Sequence, residues 1–171
     1  MSIRALNSMK TTPFVLLSGL LFSSPSFSGA TVINLGAEVG WSAAHNLPEN
    51  GRHFAVRTSY VDMEWSKGSE QFMTPSKWKG VYGRFERNQH DDRGVFGLGR
   101  SIGSETLGLY GIEGGAVVSK TESAGFNAGA ELTAFMSAAL VGIYIRESVV
   151  FAGERLWQTD IGLRFMTSFM P

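Results

Sequence analysis

The last stretch of the chain, Leu156 to Phe169 (LWQTDIGLRFMTSF), repeats with a period of two. One set of alternate residues is Trp157, Thr159, Ile161, Leu163, Phe165, Thr167 and Phe169; the other is Gln158, Asp160, Gly162, Arg164, Met166 and Ser168. Successive side chains of a strand point to opposite sides, so this is a strand with one apolar face and one face carrying Asp160 and Arg164. A tilted strand of about ten residues crosses a bilayer, and rings at its two ends suit the two membrane–water interfaces. The same pattern serves an edge or core strand of a soluble β-protein, so the other strands must decide between the two.

Seven more strands are predicted upstream. They are Thr31 to Trp41, a strand from near Arg52 through Val61, Trp78 to Arg87, Gly94 to Ile102, Thr106 to Val118, Phe126 to Met136, and a strand from Ala139 through Arg146. Turn signals separate them: Pro48-Glu49-Asn50-Gly51, Lys67-Gly68-Ser69-Glu70, Asn88 to Arg93, Gly103-Ser104-Glu105, Ser119 to Gly125, Ser137-Ala138 and Ala152 to Arg155. Pro75 cannot donate to a ladder, which places the start of the third strand after it. Strand four is glycine-rich with mixed faces, strand five is long and also mixed, and no helix is expected after the leader. Eight strands with regularly spaced turns describe an all-β, antiparallel up-and-down barrel, closed so that no sheet edge is left open.

The chain has 171 residues, one domain's worth, and the first thirty read as an export signal. Arg4 and Lys10 precede a short apolar run, Phe14 to Phe22, and Ser26, Ser28 and Ala30 supply the small residues of a cleavage site. The domain reading is a signal peptide over 1–28, cleaved after 28 or 30, and a barrel over 31–171. Lys+Arg and Asp+Glu are 15 each, so the net charge is zero, which argues against a nucleic-acid partner. Cysteine is absent, which excludes disulfides and thiolate metal sites.

Two barrels fit this alternation. A soluble, lipocalin-like periplasmic carrier points its apolar residues inward; a membrane barrel points them outward to lipid. The minority face favours the second. It carries small residues beside single charges, as in Gly36-x-Glu38-x-Gly40, Gly129-x-Glu131 and Asp160-x-Gly162-x-Arg164. A narrow lumen needs small residues and paired charges, because an isolated buried charge costs several kcal/mol. Glu38, Glu131 and Asp160 are expected to pair with Arg57, Arg84, Arg146 and Arg164. The apolar face, by contrast, runs unbroken along the clean strands.

In its strand count, its inverted faces and its terminal strand the mature chain resembles the small eight-stranded outer-membrane barrels of Gram-negative bacteria, of the OmpA-transmembrane-domain and OmpX type. Those barrels end in an alternating apolar strand closed by an aromatic. Ile161, Leu163, Phe165 and Phe169 match that signal; Thr167 matches it weakly, and Met170-Pro171 extend beyond it. The resemblance implies an outer-membrane location. It implies lipid and lipopolysaccharide, the barrel-assembly machinery and periplasmic chaperones as partners, and a structural or surface-interaction role. It also implies periplasmic chain ends, with short connections 2–3, 4–5 and 6–7 and longer ones at the other mouth.

Candidate sites follow from the same reading. Glu38, Arg57, Arg84, Glu131, Asp160 and Arg164 form an expected lumen charge network that plugs the barrel. Trp41, Trp65, Trp78, Trp157 and Phe169 are expected at the membrane interfaces. Some barrels of this size edit lipid A acyl chains, and a hydrolase or acyltransferase using His45 or His90 is the alternative function. No histidine follows His90, so the His–Ser pair typical of the deacylase type is missing from the late strands. His90-Asp91-Asp92 reads as a polar turn rather than a metal site. The glycines of Gly97-x-Gly99-x-x-x-Gly103 have neither the spacing nor the following helix of a nucleotide loop; they suit close packing in a tight barrel. No catalytic residue, cofactor or metal ligand is assigned.

Overall fold

The computed structural model describes residues 30–45, 50–67, 73–88, 91–105, 108–121, 125–138, 140–152 and 154–169. The expected signal peptide and His90 lie outside the described residues. The described chain is a closed barrel of eight antiparallel strands in sequence order. They are β1 Ala30–Ala44, β2 Asn50–Lys67, β3 Met73–Arg87, β4 Asp91–Glu105, β5 Gly108–Thr121, β6 Gly125–Ala138, β7 Val141–Ala152 and β8 Glu154–Phe169. β8 closes the wall by pairing with β1, from Ile33 opposite Phe169 to Ala44 opposite Gln158. No helix occurs among the described residues.

The strands are longer than their alternation alone predicts, and two corrections follow. β3 begins at Met73 and contains Pro75, which sits opposite Trp65. The register shifts between Glu64 and Trp65, so the proline falls beside a bulge, where the ladder tolerates a missing donor. The expected contrast between a short-turned and a long-looped mouth is also absent. At the end holding Ala30 and Phe169, the strands are separated by residues 68–72, 106–107 and 139–140; at the other mouth by 45–49, 88–90, 122–124 and 153. The connections at both ends are short because the strands themselves run on past the turn residues that marked their limits in the sequence.

The register fixes the barrel's shape. Starting at Ala43 and stepping to each paired neighbour, the path runs through Thr159, Glu147, Leu132, Gly114, Leu98, Val81 and Tyr60, and returns to β1 at Ile33. The stagger is therefore ten residues, 43 minus 33. Eight strands with that stagger tilt by about 40° and leave a backbone radius of about 8 Å, just enough for side chains to fill the interior.

The outer face is apolar across the middle of the wall. Leu35, Val39, Val56, Phe85, Phe96, Ile143, Ile145, Ile161, Leu163 and Phe165 are all exposed there, at 40–65%. Outward charges gather near strand ends: Asp62, Lys77, Lys79 and Arg100 toward the chain termini, Arg52, Arg87, Asp92 and Lys120 toward the opposite mouth. A strand tilted by about 40° climbs about 2.5 Å per residue, so the span from Ile33 to Ala43 covers about 25 Å, the height of a membrane barrel's apolar band.

Candidate functional site: the charged lumen

The lumen has an apolar floor and a charged middle. At the end holding the termini, Val32, Val61, Met63, Trp78, Leu109 and Phe135 form one buried cluster. Trp78 meets Phe135 edge-on, with ring centroids 5.6 Å apart. Trp78 was expected at a membrane interface; it points inward instead and is 5% exposed. Its parity explains the difference, because it lies in phase with Tyr82 and Arg84. Glycines open the space these rings occupy. A Cβ on Gly99 would collide with the Trp78 ring, and one on Gly97 would lie 2.6 Å from Tyr82 Cε1. The glycines of β4 thus serve close packing, as the sequence suggested.

Above the floor, every residue of the expected charge network faces inward and is buried: Glu38, Arg57, Arg84, Glu131, Asp160 and Arg164. Arg146, expected as a partner of these carboxylates, is buried with them, and two further charged residues join, Glu86 and Glu113. Arg57 binds Glu113 through two hydrogen bonds, Nη1 to Oε2 at 2.9 Å and Nη2 to Oε1 at 2.6 Å. Arg164 grips the other side of the same carboxylate at 3.0 and 2.9 Å and donates from Nε to Glu38 at 2.8 Å. Arg146 donates to Glu38, to Glu86 at 2.8 Å and to Asp160 at 3.2 Å. Arg84 donates to Glu131 at 2.5 Å, and Tyr82 donates to that carboxylate's other oxygen at 2.9 Å. The Arg57 and Arg146 guanidinium groups also lie over the Tyr82 and Tyr144 rings, at 4.3 and 4.6 Å. Planar forks that bind carboxylates through two or more nitrogens suit a packed network of buried ions.

A second group continues toward the opposite mouth. Arg93 donates to Asp91 at 2.7 Å and to Gln158 at 2.6 Å; Gln158 in turn donates to Asp160 at 2.6 Å, which joins the two groups. Ser119 donates to Asp91 at 2.6 Å. His53, on β2, lies 2.8 Å from Ser42 Oγ through Nδ1 and contacts the Tyr144 hydroxyl through Nε2.

Several of these residues escape a reading by hydrophobic alternation. Glu113 sits in β5, whose Gly111, Gly114 and Gly115 blur the two faces. His53 and Glu86 are in phase with Arg57 and Arg84, so strand parity was the signal that could have found them. Two of the expected interface aromatics, Trp41 and Trp157, point outward at 65% and 46% exposure, as does Phe169. Trp65 lies in β2, but its side chain falls outside the described set. Ile161, Leu163 and Phe165 share the outer wall with Phe169.

His45, the loop histidine within the described set, lies on the outer wall. Its Nε2 is 2.8 Å from Thr159 Oγ1, and that hydroxyl donates to Glu147 at 2.7 Å. The hydroxyl lies between ring and carboxylate, so the carboxylate does not orient the imidazole as it would in a nucleophile–base–orienter arrangement.

No known protein-family model matches the chain, and no curated protein matches its sequence. Among solved structures, a de novo designed transmembrane β-barrel superposes with a TM-score of 0.46 at 11% identity, over 84% of this chain and all of that one. A second designed barrel gives 0.40 at 14% identity, over 82% of this chain and 97% of that one. Ail, the attachment invasion locus protein of Yersinia pestis, gives 0.32 at 11% identity, over 82% of this chain and its own full length. The fold defines the class, a small eight-stranded antiparallel barrel with charged residues filling its interior, and this chain's own wall chemistry bears on its function.

Proposed function

We propose that this chain is a plugged barrel of the Gram-negative outer membrane with a structural role in the envelope. The observation that carries it is the inversion of the wall: large apolar side chains lie exposed all around the outside while eleven Asp, Glu and Arg side chains are buried inside. In water the arrangement would be doubly unfavourable, since monomeric soluble proteins rarely expose contiguous apolar patches of more than a few hundred Å². In lipid the same face is solvated, and the closed wall satisfies every strand's backbone. A lipocalin-like carrier needs the opposite interior, and the charged network fills the space a small apolar ligand would take.

The plug also argues against a conducting role. The lumen side chains from the floor through the Arg57–Glu113 and Arg146–Glu38 contacts are nearly all under 10% exposed. The short connections at both mouths give a partner the strand ends to grip, rather than long loops. In this reading lipid and lipopolysaccharide contact the apolar belt. Periplasmic chaperones deliver the unfolded chain, and the assembly machinery reads Ile161, Leu163, Phe165 and Phe169 on the last strand. An N-terminal signal cleaved after residue 28 or 30 supplies export.

The test is gel mobility of the outer-membrane fraction, boiled against unboiled. A closed membrane barrel resists detergent until heated and should run at two positions. A protein that stays in the soluble periplasmic fraction and runs at one position would overturn the proposal.

A lipid-editing role would rest on the hydrogen-bond chain from His45 through Thr159 to Glu147 on the outer wall, which lacks the nucleophile–base–orienter order. Unchanged lipid A acylation in cells carrying His45→Ala removes it.

A further inference from the structure

The charges in the lumen do not cancel. Among the described residues, six buried carboxylates face five buried guanidinium groups. Neighbouring pairs satisfy most of their atoms, but one carboxylate oxygen in the body of the network has no hydrogen-bond partner: Glu86 Oε1, on a residue that is 0% exposed. Its other oxygen, Oε2, is taken by Arg146. Beside it stand His53 and Asp160, and the ligand-capable atoms of these three residues lie within 4.8 Å of one another. A buried carboxylate with one unpartnered oxygen, a second carboxylate and an imidazole thus stand together, from β2, β3 and β8, in a lumen that holds one carboxylate more than it holds guanidinium groups.

We propose that this point is a binding site for one divalent transition-metal ion, held by His53, Glu86 and Asp160. Imidazole with carboxylates favours zinc, cobalt or manganese over the all-oxygen shells of calcium and magnesium. Tetrahedral zinc needs ligand separations of about 3.3 Å, so the three side chains close in by small torsional changes on a rigid wall. Glu86 contributes its free oxygen. His53 contributes one ring nitrogen by releasing either Ser42 or Tyr144, whichever hydroxyl the ion displaces. Gln158, already donating to Asp160, then acts as an outer support for that ligand. Arg84 Nη2 lies 3.4 Å from Glu86 Oε2, but Arg146 is the main competing cation, because it holds both Glu86 and Asp160. An ion with two positive charges that retains one hydroxide brings the lumen to neutrality without removing that arginine. Toward the mouth opposite the apolar floor, Asp91 Oδ1 is a second buried carboxylate oxygen without a partner.

The test uses the full mature barrel, refolded in detergent, with Co²⁺ as the probe because its visible absorption reports nitrogen–oxygen coordination. We expect one Co²⁺ per chain, displaced by one equivalent of Zn²⁺. His53→Gln should weaken binding at least tenfold, while His45→Ala leaves it unchanged. Heat-dependent gel mobility verifies that each variant is folded; if His53→Gln does not fold, Glu86→Gln carries the same comparison. Absence of Co²⁺ and Zn²⁺ binding by the folded wild-type barrel overturns the proposal. So does binding that survives in the folded lumen variant or disappears in His45→Ala.

Discussion

Leu163 and Arg164 are adjacent in sequence and face opposite sides of the wall. Leu163 is 42% exposed on the outer wall; Arg164, at 2%, is gripped by Glu113 and Glu38. The same division runs around the barrel. Outside, in the proposed membrane setting, the side chains need only be apolar, and their exact shapes are unconstrained because lipid would adapt to them. Inside, each group is committed to named partners at hydrogen-bond distance, and glycines are placed where a ring must pass. The outer face therefore tolerates exchange of one apolar residue for another and resists charge, while the inner face resists almost any change.

That contrast is broken most severely at Arg146, which donates to Glu38, Glu86 and Asp160. Arg146→Met leaves three buried carboxylates short of their cation and is expected to cost about 3–5 kcal/mol in reversible urea unfolding from lipid vesicles. Glu131→Leu, which removes the hydrogen-bonded carboxylate of Arg84 and Tyr82, belongs in the same range, whereas a solvated glutamate would cost about 0.5 kcal/mol or less. On the outside, Leu163→Arg puts a charge near mid-wall and is expected to cost about 2–4 kcal/mol by the same assay; Leu163→Ile is expected to change stability by less than about 1 kcal/mol. In the floor, Leu109→Ala removes a buried apolar side chain and is expected to cost about 2–3 kcal/mol. The smallest effect belongs to the rim: Lys77 lies 3.0 Å from Glu64 with its side chain 56% exposed, and Lys77→Ala should cost about 0.5 kcal/mol, lost in high salt.

The barrel was legible where the alternation was strict. β1, β6, β7 and β8 show it, and their inward Glu38, Glu131, Asp160 and Arg164 were identifiable from parity alone. β4 and β5 obscured it for two physical reasons. Their glycines place little hydrophobicity on either face, and the register shift between Ser101 and Gly103 breaks the period of two. Glu113, which both Arg57 and Arg164 grip, was hidden for the first of these reasons. Trp78 shows a different limit. An aromatic near a strand end looks the same whether it lies in an interface or plugs a lumen, and only counting from Arg84 separates the cases. The mouths were the least legible, because turn residues mark where a strand is able to end, while pairing with the neighbour carried these strands further.

In the proposed membrane barrel the outer wall faces lipid. The chain has no cysteine, so single cysteines at Ile161, Leu163 and Phe165 on β8, and at Arg52 and Lys120 on the rim, label cleanly with a nitroxide in the vesicle-inserted barrel. The measurement is each label's collision rate with molecular oxygen against that with a water-soluble nickel chelate. Oxygen is expected to dominate at the three β8 positions and the chelate at the two rim positions. Chelate collisions dominating at Ile161, Leu163 and Phe165 would mean that the apolar face is wet, and would contradict the membrane barrel.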